Sequence, residues 1–479
     1  MNIVSYRGPG EAGGVSTALA GIFEEHNGAG SWWHMKDAAL QIACDVESEA
    51  KTLINLSTEL VKGHYRFCNE FLWPVLHDMP EYAALREGDR EHYQRFNEVL
   101  SRMIAHSSEA KMDSTFFVQD YQLALMPQYL KRFGAHSSTV FWHVPWPRDI
   151  QDEHAIALVP LAKGMLSADV IGFHVNEYGE NFLRFVESYL PEFHCDFARM
   201  RITPAEEAVP VFVPSSNYSR IGTRLAMRST RSTEIIIAPL GIDADHWSAM
   251  AQNARATLWQ PWLTKKPYVL SVDRADYTKG ITSRLQAIDA FFEKYPEWRG
   301  EIAFAQICGR TRAGIPAYDN YWQECRALEA KLKEKWDMGH WQPLIWLDRL
   351  FSPPQLSLLY RNAAIMLVNP IRDGLNLTAK EYVACQGSRP GSLALSPGAG
   401  AWQELGESCL EVRPEEPGQM ADAVYQALNM PQHEKALKME SLSRKVARNT
   451  LQKWWQRFSK PIDVKRAAGK GFSQLREIS

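Results

Sequence analysis

Two short stretches carry residue types that could bind and polarise a phosphate. The first is DRADYTKG, residues 273–280, which follows the apolar run Tyr268–Val272. Arg274 supplies a rigid fork of donors and Lys279 a compact point charge, and both flank the end of an expected strand. The second is NPIRDGLNLTAKEYVACQ, residues 369–386, which follows the apolar run Ala363–Val368. Gly374 allows a sharp turn, Asn376 can cap a helix, and Leu377–Gln386 has helical periodicity without a breaker. A strand, a tight turn and a helix start aim free backbone N–H groups at one point, which suits an anion. Glu381, in the first turns of that helix, can accept hydrogen bonds from a sugar diol. Together these features form a receptor for a diphosphate, stabilising it most as it gains charge on leaving. The competing reading is a capped surface helix and a solvated basic pair.

A third candidate lies at the N-terminus. Asn2–Tyr6 reads as a strand, followed by Arg7, the loop GPGEAGG and a helix from Val15 to about Glu25. Gly13 and Gly14 let backbone approach a phosphate closely, but the dinucleotide GxGxxG pattern and the Walker lysine are both missing. Two further residues stand at strand ends: Asp120 after Thr115–Val118 and His143 after Thr139–Trp142. In open parallel sheets ligands bind beyond the carboxyl ends of the strands, so these two side chains are expected in one cleft.

The elements that must position these groups alternate between strand and helix. From Ser114 the order is strand, helix Tyr121–Phe133, strand, with Val170–Phe173 and Glu234–Pro239 continuing the sheet. After Gly241 the pattern restarts with strands at 268–272, 302–307, 344–347, 363–368, 392–396 and 410–412, separated by helices such as 318–335 and 354–361. Residues 40–112 read as mostly helical, 433–458 as a basic helical segment, and the tail beyond Pro461 as loosely held. This predicts an α/β protein of two similar halves, 1–243 and 244–449, facing across a cleft, with a helix over 450–479 packing back on the first half.

Composition narrows the function classes. The chain has 479 residues, a net charge of -3, 45% hydrophobic and 23% charged residues, an ordinary globular profile. Such a balance argues against nucleic-acid or membrane-surface binding driven by bulk charge, and no apolar run is long enough to span a bilayer. The N-terminus shows no basic region followed by a long apolar core, so a secretory signal is not expected. Seven scattered cysteines without a CxxC read as reduced residues of a cytoplasmic protein, and the adjacent His194 and Cys195 lack ligand spacing. No metal and no organic cofactor is expected. Association into a homo-oligomer stays open.

VDRADYTKG, NPIRDGLNLTAKEYVACQ, FVQDYQLALMPQYL, FWHVPWP and NEFLWP, which stand along the chain in the family's order, together resemble the trehalose-6-phosphate synthase family of retaining glycosyltransferases, from Arg7 to about Leu428. That family is similar to glucosylglycerol-phosphate synthases and some pseudo-glycosyltransferases. The resemblance implies a GT-B fold of two Rossmann-like domains, a nucleotide sugar as donor substrate on the C-terminal half and a phosphorylated acceptor on the N-terminal half. By position, Arg274 and Lys279 match the diphosphate-binding pair, and Gly374, Leu375, Asn376 and Leu377 the amide cradle. Glu381 matches the ribose-binding glutamate, Asp373 a carboxylate on the donor glucose, and His143 a histidine beside its C6 hydroxyl. Phe351 matches the residue beside the nucleobase, and Gly14 a glycine whose amide meets the donor phosphate.

On the acceptor side, Asp120 matches the acceptor-facing aspartate, with Tyr121 next to it, and Trp73 an acceptor-packing tryptophan. Arg7 and Arg312 match two arginines that grip the sugar phosphate, and Arg312 with Phe351 favours glucose 6-phosphate. Three departures cluster here. The family's HDYHL is QDYQL, with Gln119 and Gln122; the tyrosine nine residues before Trp73 is His64, with Tyr65 beside it; and the tryptophan of the GWSG segment is replaced near Met35. The resemblance implies transfer of glucose, with UDP-glucose favoured, to glucose 6-phosphate by front-face attack. The alternatives are ADP-glucose with glycerol 3-phosphate or a cyclitol phosphate, and a silent paralogue that only binds nucleotide sugar. Retention of Asp120, His143, Arg274, Lys279 and Glu381 argues against the silent paralogue.

Overall fold

The computed structural model describes residues 2–11, 13–25, 30–36, 40–46, 49–107, 114–134, 137–205, 232–254 and 266–459. The expected tail beyond Pro461, and most of the helix expected over 450–479, lie outside these residues.

Two sheets organise the chain. The first contains β1 (Asn2–Arg7), β2 (Ser31–Lys36), β3 (Gln41–Val46), β4 (Glu49–Asn55), β5 (Thr115–Gln119), β6 (Ser137–Trp142), β7 (Val170–Phe173), β8 (Phe193–Asp196), β9 (Arg201–Pro204) and β10 (Thr233–Ile237). Their order is β4-β3-β2-β1-β5-β6-β7-β10-β9-β8. The centre, from β2 to β10, is parallel, and antiparallel strands close both edges. The second sheet contains β11 (Tyr268–Arg274), β12 (Ala303–Gly309), β13 (Leu344–Leu347), β14 (Ile365–Val368), β15 (Ser392–Leu395) and β16 (Leu410–Glu411). It is parallel throughout, in the order β13-β12-β11-β14-β15-β16. Central strands such as β5, β7, β14 and β15 are buried along their whole length, as expected of parallel strands covered by helices on both faces.

Each sheet reverses direction once, and the reversal positions the site. In the first, β1 lies between β2 and β5; in the second, β11 lies between β12 and β14. Among the parallel strands, chain order runs outward on both sides of each central strand, which opens a crevice at its carboxyl end. Arg7 and Asp120 flank one such point, and Arg274 and Asp373 flank the other.

Several local expectations change. Residues 41–46 and 49–55 form the paired strands β3 and β4 instead of helix, because antiparallel pairing from Ser31↔Val46 to Lys36↔Gln41 extends the sheet. Helix begins only after Ser57, whose hydroxyl accepts from the Leu60 N–H at 3.3 Å. The helix expected over 121–133 divides into a 3-10 turn, Tyr121–Leu123, and an α-helix, Met126–Arg132, with proline in its first turn. The C-terminal helical segment breaks at Asn449 and Thr450, then resumes over 451–459. There Ile242 bridges to Thr450, so two chain crossings run side by side between the sheets. Beyond the break, Trp455 and Phe458 pack on Phe117, and Trp454 on Phe141, against the first sheet.

Candidate active site

The two stretches of the second sheet are stapled to each other before any ligand enters. Gly280 has φ +63, and a Cβ there would lie 2.5 Å from the Asn369 carbonyl, so only glycine fits the approach. The Asn369 amide donates to the Gly280 carbonyl at 2.9 Å, and the Ile371 N–H to the Thr278 carbonyl at 2.8 Å. Beneath them the buried Arg284 donates to Asn369, Gln306 and Asp273 at 2.6–2.7 Å. This core of charge-assisted bonds leaves Lys279 and Asp373 facing each other at 2.6 Å. The Asn376 side chain then works twice. Its oxygen caps the helix Leu377–Ala384 by accepting from Ala379 N–H, and its amide donates to Asp373 at 3.0 Å. Burial disfavours the Asp373 charge, yet Lys279, the Asn376 amide and His77 outweigh this and hold the carboxyl below its ordinary range.

Opposite this helix start stands a second one. The helix Gly14–Glu25 begins where a Cβ on Gly14 would come within 2.9 Å of Leu377. Two positive helix ends therefore converge on one space. Glu381 lies deeper, with the Tyr360 hydroxyl donating to it at 3.1 Å. Burial raises its carboxyl to about 7, with the tyrosine hydroxyl opposing.

On the first sheet Asp120 follows β5 with φ +71, a strained conformation for a residue with a side chain. Its carboxylate accepts from the His143 N–H at 3.1 Å. Burial lifts its pKa to about 7, against the His143 and Tyr121 amides and Arg312. Arg312 and Asn376 also carry positive φ, so half of the six such non-glycine residues among the described residues line this cleft.

The halves interlock across the cleft. Arg312, from the loop after β12, lies 3.9 Å above the Trp73 ring and reaches the hydroxyls of Tyr318 and Tyr121. It also meets Asp276 at 3.4 Å. Burial works against its charge, but Tyr318, Tyr121 and Asp276 hold it above its ordinary value. Arg274 extends from β11 into the cleft, open to solvent there. Partial desolvation between the cleft walls, then Arg312 and Arg7, push its pKa down, with Asp276 opposing. Three arginines from three segments thus share one space, an arrangement that a dianion would relieve. Further contacts bind the rims. The Tyr178 hydroxyl donates to the Asp373 carbonyl at 3.0 Å, and Arg372 pairs with Glu177 at 2.7 Å and Asp78 at 3.2 Å. A Cβ on Gly374 would overlap the His143 carbonyl oxygen.

Comparison with known proteins fits this geometry. Residues 6–463 match the description of glycosyltransferase family 20. The chain belongs to this family. It is 28% identical over 84% of its length to a bifunctional trehalose-6-phosphate synthase/phosphatase of Thermoproteus tenax, and spans 52% of that relative. It is 29% identical over 85% of its length to an alpha,alpha-trehalose-phosphate synthase [UDP-forming] of Aspergillus niger, of which it covers 81%. The chain thus spans only about half the length of the first relative, and most of the second. A crystal structure of a UDP-forming alpha,alpha-trehalose-phosphate synthase from Burkholderia xenovorans in complex with glucose-6-phosphate superposes with a TM-score of 0.84, at 25% identity. That match covers 96% of this chain and 99% of the other. The fold is GT-B, with two Rossmann-like sheets facing each other.

Within the family frame most expected residues meet at the cleft. Arg274, Lys279, Asp373, Gly374, Leu375, Asn376, Leu377, Glu381 and Gly14 gather around the converging helix ends, and Phe351 lies in the loop after β13. Asp120, Tyr121, Trp73 and Arg312 form the opposite wall, with Arg7 at the end of β1. His64 is a correction. It is fully buried, its Nε2 lies 3.0 Å from the Gln122 carbonyl, and its ring stacks among Tyr6, Tyr93 and Phe96. Burial lowers its pKa to about 4. Tyr65, partly buried and near enough to influence Arg312, takes the cleft side instead. A π-helical turn, Phe67–Leu72, separates these two residues from Trp73.

The expected role of His143 beside a sugar hydroxyl also needs adjustment, because both of its ring nitrogens are already engaged, one with His174 and one with Gln119. Two residues went unnoticed in the sequence. Asp276 is fully buried, accepts from Trp73 Nε1 at 3.4 Å and from Thr278, and supports Arg312. Burial opposes its charge, but Arg312, Arg274 and Lys279 keep it ionised below its ordinary range. His77 stacks on Trp73 at 4.1 Å and donates from Nδ1 to the Trp73 carbonyl at 2.7 Å. Burial first, and Lys279 last, bring it to about 4, despite Asp276 and Asp373 nearby. Asp276 sits inside DRADYTKG, between the two cations already singled out, and that was the available signal. Among the described residues no group of histidine, cysteine, aspartate and glutamate is arranged to hold a metal ion. No helix among them is long and apolar enough to cross a membrane.

Proposed function

We propose that the protein transfers glucose from UDP-glucose to glucose 6-phosphate with retention at the anomeric carbon, giving trehalose 6-phosphate. The observation that carries this reading is Arg312, charged and buried on Trp73, sharing a space with Arg274 and Arg7 beside two convergent helix starts. One phosphate group for the acceptor and one diphosphate for the donor account for that concentration of positive charge. The relatives named UDP-forming trehalose-phosphate synthases, and the one solved with glucose-6-phosphate, support the same pair of substrates.

In this reading residues 244–449 hold the nucleotide sugar and residues 1–243 most of the acceptor, with Arg312 crossing over. The diphosphate lies between Arg274, Lys279 and the amides at Leu375–Leu377, with the Gly14 amide closing from the other side. Glu381 takes the ribose diol, Phe351 lies by the base, and Asp373 holds glucose hydroxyls. The acceptor hydroxyl attacks the anomeric carbon on the face the diphosphate leaves. The bond from carbon to diphosphate oxygen breaks, a bond to the acceptor oxygen forms, and the acceptor proton passes to the departing phosphate oxygen. The protein contributes position and fixed positive charge, in place of a metal ion. The reduced cysteines fit a cytoplasmic enzyme.

A product assay with UDP-, ADP- and GDP-glucose against glucose 6-phosphate and glycerol 3-phosphate tests this. Trehalose 6-phosphate from UDP-glucose is the expected product. Turnover of glycerol 3-phosphate in preference to glucose 6-phosphate would overturn the acceptor assignment, and binding without turnover of any pair would overturn the enzyme reading.

A further inference from the structure

Three neighbouring parallel strands end in side chains that bond in a row. Gln119 ends β5, His143 follows β6, and His174 follows β7, with β6 between the other two. Nε2 of His143 lies 2.9 Å from Oε1 of Gln119, and Nδ1 of His143 lies 3.3 Å from Nε2 of His174. A row of neutral imidazoles can run in either direction, and the two directions demand opposite tautomers. Here the ends decide. The Leu240 N–H donates to Nδ1 of His174 at 3.3 Å. A backbone N–H can only donate, so that ring nitrogen is bare and the His174 proton sits on Nε2. His174 then donates to Nδ1 of His143, and His143 must carry its own proton on Nε2, toward Gln119. The far end agrees. The Gln119 amide nitrogen faces the Phe117 carbonyl at 3.4 Å, which leaves Oε1 as the acceptor.

The donor end is held firmly. The carbonyl of the same Leu240 accepts from Nζ of Lys380 at 3.0 Å, and that fully buried ammonium pairs with Glu404 at 2.6 Å. Burial, with Lys380 adding to it, keeps His174 near 3, and burial holds His143 well below its ordinary value. A second proton on either ring would break the row. The Ala238 carbonyl also lies near His174 and favours a protonated ring nitrogen there, so it is the group that would reverse the direction.

We propose that Gln119 and His174 are positioning residues that hold His143 as a single neutral tautomer, protonated on Nε2. Its ring then takes no proton from substrate and gives none. It anchors instead the backbone on which the cleft is aligned: the His143 N–H donates to Asp120 at 3.1 Å, and its carbonyl abuts Gly374 of the opposite half. The glutamine at 119 has a physical consequence. A histidine there, as in the HDYHL pattern, could meet His143 as donor or acceptor, whereas an amide anchored on Phe117 admits one direction only. The tautomer stands apart from the reaction; the kinetic consequence rests on the glucosyl-transfer reading.

Full-length protein labelled with 15N in its histidine rings gives the direct measurement, with the His143 signals assigned by difference against His143→Asn. The expected spectrum shows Nε2 protonated and Nδ1 bare, unchanged from about pH 6 to about pH 8. His174→Phe should mix the tautomers and lower kcat about tenfold, with KM values within about threefold, whereas Gln119→Leu, in which His174 still donates to Nδ1, should keep the tautomer and shift the Nε2 signal as that N–H loses its acceptor. His174→Gln can accept from Leu240 with its oxygen and donate to His143 with its nitrogen. It should keep both the tautomer and kcat within about threefold of wild type. A wild-type His143 protonated on Nδ1 would overturn the proposal. So would His174→Gln behaving like His174→Phe, or Gln119→Leu leaving the spectrum unchanged. If no sugar is transferred at all, the spectra still decide the tautomer, so the two readings fail separately.

Discussion

The donor wall and the acceptor wall of the cleft are built in different ways. The donor wall comes mainly from two chain stretches, 273–280 and 369–381, joined by backbone bonds and by Arg284 beneath them. The acceptor wall draws Arg7, Tyr65, Trp73, Asp120 and Arg312 from four separate segments, held by ring stacking and long side chains. Arg312 even comes from the loop after β12, in the half proposed to hold the donor. Backbone-anchored donors keep their geometry without ligand, which suits stabilising charge on a leaving group. Stacked side chains depend on the two halves being closed, which suits a site that should form only when both substrates are present.

The largest test of this contrast is Lys279→Ala. It removes a fixed cation from the leaving group and should lower kcat by ~10²-fold or more. Turnover within about threefold of wild type would show that the donor wall does not act as described.

Arg312→Ala should act on the other wall, raising KM for glucose 6-phosphate by about 30-fold, ~2 kcal/mol, with UDP affinity little changed. Arg312→Lys should recover only part, because an ammonium cannot both fork and lie flat on Trp73. Equal losses of donor and acceptor affinity in steady-state and calorimetric measurements would erase the distinction between the walls.

Gly374→Ala targets the seam between them. The added methyl meets the His143 carbonyl, so the halves must separate to admit it. A fall in kcat of about tenfold is expected, with UDP binding retained to the C-terminal half. Unchanged kcat would mean that this close approach is not part of the working state.

The smallest effect concerns pH. Glu381 sits near 7 because it is buried, and accepting hydrogen bonds from a diol requires its charged form. Binding UDP should therefore release a proton, and affinity should rise from pH 6 to pH 8 by about three- to tenfold. Phosphate ionisation of UDP adds its own slope, so the share due to Glu381 is what calorimetry finds missing in Glu381→Gln. An identical slope in that variant would remove Glu381 from the ribose site.

The same contrast explains what could be read from the chain. The donor residues lie in short runs whose strand, turn and helix signals are local, so Arg274, Lys279, Asn376 and Glu381 could be named from order and type. The acceptor residues needed contacts between distant segments, and there the reading slipped. His64 and Tyr65 were both expected at the acceptor, and only their packing shows that His64 is buried among aromatic rings. The β3–β4 pair looked helical because edge-strand pairing is decided by the partner strand and not by local propensity. Asp276 and His77 stayed hidden since their meaning lies in what surrounds them.

By itself the sequence determined the α/β alternation, the two halves and the strand, turn and helix at 268–294 and 363–384, because those depend on residues within a few positions of each other. Only the tertiary structure decided which side chains of the first half meet Arg312 and which way the protons run through His143. Both depend on groups far apart in the chain whose donors and acceptors must be matched where the two sheets close.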